Sequence, residues 1–421
     1  MDFKKICSFS AVLAVMFSCT ACGNQVGKVG DSGELDFPPP AETTTQATTE
    51  EPTTEPIPED KRVHVIAAGD NLIHYSVFKN AEANAVGQEG VNYDFNPIYA
   101  NVKYLVEDAD VAILNQETII SQSNPIRGAD GGQLIFNSPP EVADAVIDLG
   151  FDVFTMANNH LLDMGASGLE ESINFWNEKA EQNDLTILGA YLSEEDSENI
   201  RVREVNGVKI AFLAYAEHIN GFSIPVDSPL RVIMNYEEDV IERQIKKANE
   251  IADAVIVSAH WGVEDTHEVS EDRIELANKM VNWGADVILG CHTHTAETME
   301  WIPRDDGTKG FVYYSMGNFI CAQTDNFNLV GEMPDFDIVV DGVTGETRLE
   351  DVGAVPTIVH YDDGNFSNIR IYPYSQYTPE LAESHGLPYA LPAGTYPQFG
   401  WDIVNDIINN NIPEEFRKLD K

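Results

Sequence analysis

The chain has 421 residues, of which 43% are hydrophobic and 9% aromatic, and this composition excludes wholesale disorder. Its 70 acidic and 25 basic residues give a formal net charge of -45, which repels phosphate backbones and excludes non-specific nucleic-acid binding. An acidic surface also concentrates cations, which is compatible with divalent-metal chemistry.

The first 22 residues predict an export signal. Two lysines precede the mostly apolar run 6–17, which is too short to span a membrane. Small residues then precede Cys22 in a pattern that resembles a bacterial lipobox, with Cys19 where that motif usually has Leu. We therefore expect a lipid on Cys22 and a bacterial protein anchored on the extracytoplasmic face of the cell membrane. An ordinary cleaved secretory signal is the alternative.

Residues 23–61 predict a disordered linker. Between residues 31 and 60 the chain carries seven Thr, six Pro and nine acidic residues, and neither Lys nor Arg. Such a segment cannot bury enough apolar surface to fold, and its charges repel one another. We expect an extended tether that holds the folded part, residues 62–421, away from the membrane.

Beyond residue 62, apolar strands alternate with helical periodicity. Strands are predicted at 63–68, 111–114, 153–157, 208–214, 254–259, 287–289 and 311–315. Helices are predicted at 141–149, 169–180, 238–251 and 274–283. This alternation predicts an α/β fold whose sheet is buried on both faces. Additional strands and a closing helix are predicted within 335–410, with the helix at 398–410.

Metal-capable side chains follow strand after strand, where the carboxyl ends of the strands form a ligand crevice. The set comprises Asp70, His74, Glu117, Asn159, His160, His260, His292 and His294. Carboxylates, an amide and imidazoles suit divalent Mn, Zn or Fe in hydrolytic sites. His292 and His294 are the most specific pair, because alternate residues of an extended segment point to the same side and reach a common metal.

Taken singly, these residues have structural alternatives. Asp70 fits a simple turn, Glu117 a cap, His160 a helix start, and His260 a core histidine bonded to the backbone. The remaining histidines are expected to be surface or structural residues: His64, His218, His267, His360 and His385. Cys291 and Cys321 are expected to be partly buried thiols rather than a disulfide.

Six motifs, in order along the chain, resemble those of a known family. They are Gly69-Asp70, Asn115-Gln116-Glu117, Asn158-Asn159-His160-Leu161-Leu162-Asp163-Met164-Gly165, His260-Trp261-Gly262-Val263-Glu264, Gly290-Cys291-His292-Thr293-His294 and Tyr314-Ser315-Met316-Gly317-Asn318-Phe319. Residues 63–322, which contain them, resemble the poly-gamma-glutamate capsule synthesis protein CapA family. That family is similar to calcineurin-like metallophosphatases.

The resemblance implies a four-layer α-β-β-α metallophosphatase-like sandwich with a metal site at one end of its sheets. It implies that Asp70 and His294 bind one divalent ion. By the same resemblance, Asn159, His260 and His292 bind a second.

The resemblance also implies roles for three further residues. Glu117 stands where metallophosphatases place a bridging aspartate. Because Glu replaces Asp there, the resemblance implies either one bound ion or two. His160 stands in place of their catalytic histidine, which protonates a leaving group or stabilises charge. His74 lies four residues after Asp70, whereas the metallophosphatase histidine lies two after its aspartate, so His74 is an additional candidate only.

Two function classes follow from the resemblance. One is a metal-dependent hydrolase of a phosphoester or an envelope amide, in which water is activated for attack on a phosphoryl or acyl centre. The other is a non-catalytic surface component of a capsule synthesis or export assembly. Its partners would be the capsule polymer, a polyanion, or capsule-synthesis proteins. An unligated histidine such as His160 favours the hydrolase, because a purely structural metal site does not require one.

Overall fold

The computed structural model describes residues 58–387 and 399–421. The predicted export signal, Cys22 and nearly all of the predicted linker lie outside these residues. Within the described ranges, the helices are too short or too polar to cross a bilayer.

The strands and helices alternate through the first two thirds of the folded part. In chain order the strands are β1 (Lys61–Asn71), β2 (Val111–Asn115), β3 (Arg127–Gly128), β4 (Phe136–Asn137), β5 (Val153–Thr155), β6 (Thr186–Leu188), β7 (Arg201–Val205), β8 (Val208–Ala216), β9 (Ala254–His260), β10 (Val287–Cys291), β11 (Met299–Pro303), β12 (Lys309–Tyr313), β13 (Asn318–Ile320), β14 (Val330–Val340), β15 (Thr347–His360) and β16 (Arg370–Pro373). The helices are α1 (Tyr75–Asn84), α2 (Asn96–Tyr99), α3 (Lys103–Glu107), α4 (Glu141–Leu149), α5 (Gly165–Asn183), α6 (Glu194–Ser197), α7 (Glu238–Ile251), α8 (Glu271–Trp283), α9 (Pro379–Ser384) and α10 (Trp401–Asn411).

Two mixed sheets form the centre of the fold. The eight-stranded sheet has the order β16-β15-β14-β1-β2-β5-β6, and β13 pairs with the end of β1. In it β1, β2, β5 and β6 run parallel, whereas β14 to β16 are antiparallel. The six-stranded sheet has the order β11-β12-β10-β9-β8-β7, with antiparallel strands only at its two edges. The inner parallel strands of both sheets therefore end on one side of the molecule.

Side chains of the six-stranded sheet alternate between two hydrophobic cores. On β8, Phe212 belongs to the large core that also contains the eight-stranded sheet, whereas Leu213 and Tyr215 pack with Ile241 of α7. Because successive strand residues point to opposite faces, this sheet is buried on one side by the other sheet and on the other side by α7 and α8.

The eight-stranded sheet is covered in the same way. Thr155 faces the second sheet, where its hydroxyl lies 3.3 Å from that of Ser258. Its neighbour Phe154 points outward, and its ring lies 4.7 Å from that of Trp176 on α5. The layers are therefore helices, sheet, sheet and helices, and the four-layer α-β-β-α prediction is confirmed.

The predicted elements correspond closely to the observed ones. All seven core strands and all four helices are confirmed. The additional strands predicted within 335–410 are β15, β16 and the second half of β14. The closing helix is α10, and the first residue predicted for it lies outside the described ranges. Cys291 and Cys321 are buried free thiols, as expected.

Two glycines allow close backbone approach beside the predicted ligands. A Cβ at Gly69 would lie 1.9 Å from the carbonyl oxygen of Gly317, and one at Gly290 would lie 1.9 Å from that of Tyr314. Gly69 immediately precedes Asp70, and Gly290 lies two residues before His292. These close approaches therefore fix the ends of β1 and β10, from which Asp70 and His292 extend, against the neighbouring backbone.

We expect Gly290→Ala to lower the free energy of unfolding by about 1–3 kcal/mol, because the new methyl group overlaps rigid backbone. Urea denaturation in the presence of a chelator measures this without a contribution from metal binding. Gly400→Ala is the matched control, since Gly400 is extended (φ -179) and its Cβ would meet open space. Equal effects of the two substitutions would contradict the close-approach argument.

Candidate metal centre

The predicted ligands meet where the strand ends of the two sheets face each other. Asp70 lies on β1 and Glu117 follows β2, whereas His260 ends β9 and both other histidines follow β10. Donor atoms of Glu117, His260 and His292 all lie within 4.8 Å of one another, and so do those of Asp70, Glu117 and His294. The five side chains are buried and form two groups that share Glu117.

Glu117 belongs to both groups and has no hydrogen-bond partner among the described residues. Its Oε1 is 3.8 Å from Nε2 of His260 and 3.9 Å from Nε2 of His294. Burial, and then the charge of Asp70, raises the pKa of Glu117 well above its usual range. Neither of its carboxylate oxygens accepts a hydrogen bond from the described residues. A buried carboxylate in this state is a position that a cation would stabilise.

Asp70 joins the two sheets. One carboxylate oxygen accepts a 2.7 Å hydrogen bond from the side-chain amide of Asn115, and the other accepts from the backbone N–H of His292 at 3.1 Å. Nδ1 of His294 also lies 3.1 Å from Asp70. Burial opposes a charge on His294, but the carboxylates of Glu117 and Asp70 outweigh it and raise its pKa to about 10.

The loop after β10 differs from the sequence prediction. His292 and His294 are not in an extended segment: both have left-handed backbone conformations, with φ values of 97° and 59°. The prediction of an extended segment is wrong, because the backbone turns as soon as β10 ends, and the two rings belong to different groups. Thr293 holds this turn through a 2.9 Å hydrogen bond from its hydroxyl to Ser315.

Asn159 lies beside His260, as the family resemblance implied. Its Oδ1 is 3.0 Å from Nε2 of His260. Burial and the neighbouring imidazoles lower the pKa of His260 and His292 well below the usual value. Both rings are therefore neutral at pH 7, which is the form that binds metal.

His160 is oriented by a carboxylate and an aromatic ring. Its Nδ1 donates to Asp163 at 2.8 Å, and the same carboxylate oxygen accepts from the backbone N–H of Phe136 at 2.7 Å. The ring of Phe136 packs edge-on against the imidazole at 4.6 Å. With Nδ1 occupied, Nε2 is the nitrogen that remains for a reacting group.

His74 lies close to the site and belongs to neither group. Its Nδ1 accepts a 3.2 Å hydrogen bond from the backbone N–H of Ala322. Burial and the charge of His294 lower its pKa to about 3. The structure thus places His74 as a neutral, hydrogen-bonded ring beside the cluster.

His218 is a site residue that the sequence analysis missed. It was expected to be a surface or structural histidine, but its Nε2 lies 3.0 Å from Nε2 of His292. His218 follows β8 by two residues, and this position after a strand is the signal that could have identified it. The other four histidines of that set lie elsewhere, with His64 against Asp335 and His360 packed edge-on against His385.

The profile of a family described as bacterial capsule synthesis protein PGA_cap matches residues 64–323. The chain belongs to this family. Two relatives are the capsule biosynthesis protein CapA of Bacillus anthracis, with 31% identity over 245 residues, and the PGA biosynthesis protein CapA of Bacillus subtilis, with 30% identity over 228 residues. The matches cover 56% and 54% of this chain and 56% and 57% of those proteins, so the chain spans little more than half their length.

Similarity to solved structures is weaker. A phosphatase from Mycoplasma pneumoniae is 14% identical with a TM-score of 0.39, and the match covers 70% of this chain and 93% of that one. A 5'-nucleotidase from Candida albicans is 10% identical with a TM-score of 0.35, over 69% and 50% of the two chains. Likeness at this level carries no functional argument.

The donor set of this PGA_cap member fits divalent metal. Carboxylate, amide and imidazole groups are the ligands that Mn, Zn and Fe accept. Besides the oxygens of Glu117, Nδ1 of His292 is buried without a partner among the described residues. A bound cation would satisfy buried donor atoms of this kind, which have no partner among the described residues.

We expect Glu117→Gln to lower the affinity for every bound ion by at least about 100-fold, because both groups lose their only shared ligand. Competition against a fluorescent chelator measures the affinity and the number of ions. Glu332→Gln is the matched control, since neither oxygen of this buried carboxyl has a partner among the described residues and Glu332 lies outside both groups. If Glu117→Gln weakens one ion only, or if Glu332→Gln has the same effect, the shared-ligand assignment is wrong.

Proposed function

We propose that this chain is a metal-dependent hydrolase of a phosphoester or an envelope amide, that it serves capsule biosynthesis, and that it is anchored on the extracytoplasmic face of the cell membrane. The observation that carries the proposal is the pair of ligand groups sharing Glu117, with an oriented histidine beside them. Membership of the capsule synthesis family, and the names of the two Bacillus relatives, support the capsule role.

The ligand set supports hydrolysis rather than a purely structural ion. Asp70 and His294 would hold one ion, His260, His292 and Asn159 the other, with Glu117 between them. When bound, such ions supply positive charge that lowers the pKa of water and stabilises negative charge on a phosphoryl or acyl oxygen. The sites also combine oxygen and nitrogen donors, whereas structural zinc sites are mostly built from cysteine and histidine.

His160 supplies the proton-transfer group of the proposed reaction. Asp163 fixes its ring and stabilises a positive charge on the imidazole, as an acidic partner does in other hydrolytic sites. His160 also lies near enough to add to the lowering of the pKa of His260, after burial and the closer imidazoles. From this position its Nε2 can give a proton to a leaving group or hold developing negative charge.

We expect His160→Ala to keep its metal content and to lose about 100- to 10,000-fold in turnover, which is typical of a lost general acid. His292→Ala is expected to lose both metal and activity, because it removes a ligand. Elemental analysis and a broad phosphoester and amide hydrolase screen, applied to the purified protein, measure the two effects.

Two results would contradict the hydrolase proposal. The first is a wild type that hydrolyses none of these substrates while carrying metal. The second is a His160→Ala variant that supports capsule assembly in cells as well as the wild type. Together they would favour the non-catalytic assembly component.

The anchoring part of the proposal depends on residues outside the described ranges. The lipobox-like pattern before Cys22 and the acidic Thr- and Pro-rich segment that follows support it. The linker would keep the metal centre away from the bilayer, where a chain with a net charge of -45 is repelled by anionic headgroups.

We expect Cys22→Ala to move the protein from the membrane fraction to a soluble fraction and to abolish labelling with a radioactive fatty acid. Cell fractionation followed by immunoblotting measures the first effect. Cys19→Ala is the matched control, because Cys19 lies in the same segment and is not the predicted lipid acceptor. A wild type that carries no lipid would contradict the anchor proposal and support the ordinary secretory signal.

A further inference from the structure

A cavity of about 460 Å³ lies beside the metal centre. It is lined by residues of the segment 217–236, which connects β8 to α7. His218 belongs to its wall and also lies 3.0 Å from His292, so one side chain separates the cavity from a proposed ligand. A volume of this size is in the range of small-molecule binding pockets.

The cavity lining is mainly apolar. Its apolar side chains are Ile219, Phe222, Ile224, Leu230, Val232 and Met234. Phe222 and Tyr236 are 49% and 78% exposed, so large apolar groups also face solvent around the cavity. Exposed aromatic side chains beside an apolar cavity favour a ligand that covers them.

The charged side chains of the lining are already engaged. Arg231 forms salt bridges with Glu194 at 2.7 Å and with Glu237 at 2.5 Å. Glu217 accepts a 2.7 Å hydrogen bond from the backbone N–H of Gly262. A stretch of carboxylate-rich polymer would lose its hydration here without gaining a free cationic partner.

We propose that this cavity binds an uncharged apolar group of the substrate, joined to the phosphoryl or acyl group that the metal centre holds. The inference rests on the proposed function and narrows its substrate to a molecule with an apolar body next to the scissile bond. His218 would then lie between the apolar group and the reacting centre. Backbone hydrogen bonds hold the second half of the segment in place. Arg231 pairs with Tyr191, and Asn235 pairs with Ala216.

The test compares two stable analogues that differ only in their apolar part, phenylphosphonate and methylphosphonate. Isothermal titration calorimetry of the metal-loaded full chain measures both affinities. Phosphonates mimic a bound phosphoester and the tetrahedral state of amide hydrolysis, so they serve either substrate class. We expect phenylphosphonate to bind at least about tenfold more tightly, because its ring is removed from water.

Matched variants locate the source of that preference. Ile224→Asp places a carboxylate in the lining and is expected to reduce the ratio of the two affinities to about one. Val226→Asp adds the same charge to the same segment, but Val226 is fully exposed and outside the lining, so the ratio stays at its wild-type value. Ile224→Trp, which fills the cavity with an apolar ring, keeps the test independent of a folding defect in the charged variant. It should weaken phenylphosphonate alone.

The outcomes separate this inference from the proposed function. If both phosphonates bind the wild type equally, or if Ile224→Asp and Val226→Asp change the ratio equally, the cavity inference is overturned while the hydrolase proposal stands. If neither phosphonate binds the metal-loaded protein, both are overturned.

Discussion

Two carboxylates, those of Asp70 and Glu117, lie fully buried where the ends of the two sheets meet, and the rest of the site is arranged around them. Removing an unpaired carboxylate from water costs several kcal/mol even after the protein relaxes. Asp70 is compensated by hydrogen bonds from both sheets, including the backbone N–H of His292. Glu117 accepts no hydrogen bond from the described residues, although ligand atoms of three imidazoles lie within 4.8 Å of its own. This asymmetry is the physical reason to place cations on both sides of Glu117.

The fold holds these groups together at a cost in local backbone energy. Left-handed conformations at His292 and His294 cost on the order of 1–3 kcal/mol each and persist only where the surrounding structure enforces them. Two contacts hold these conformations: the hydrogen bond from the Thr293 hydroxyl to Ser315, and the close backbone contact at Gly290. The same turn that strains the chain places the two histidines in different groups, which share Glu117. Strain and ligand placement therefore have one origin.

The strands and the ligand-bearing motifs could be predicted from the sequence, because continuous apolar runs end in metal-capable side chains and parallel strands collect such ends on one side. The turn at His292 could not, because it depends on a carboxylate of the other sheet, more than two hundred residues away in the chain. His218 also follows a strand, which is a usable signal, but its contact with His292 joins residues 74 positions apart in the chain and does not show in local periodicity.

We propose that Glu117 is a ligand shared by two ions. Anomalous X-ray diffraction from crystals soaked in manganese tests it most directly, since the peaks locate the ions independently of activity. We expect two peaks, one beside Asp70, Glu117 and His294 and the other beside Glu117, His260 and His292. Peaks that avoid Glu117, or a loaded crystal with no peak in this cluster, would contradict it.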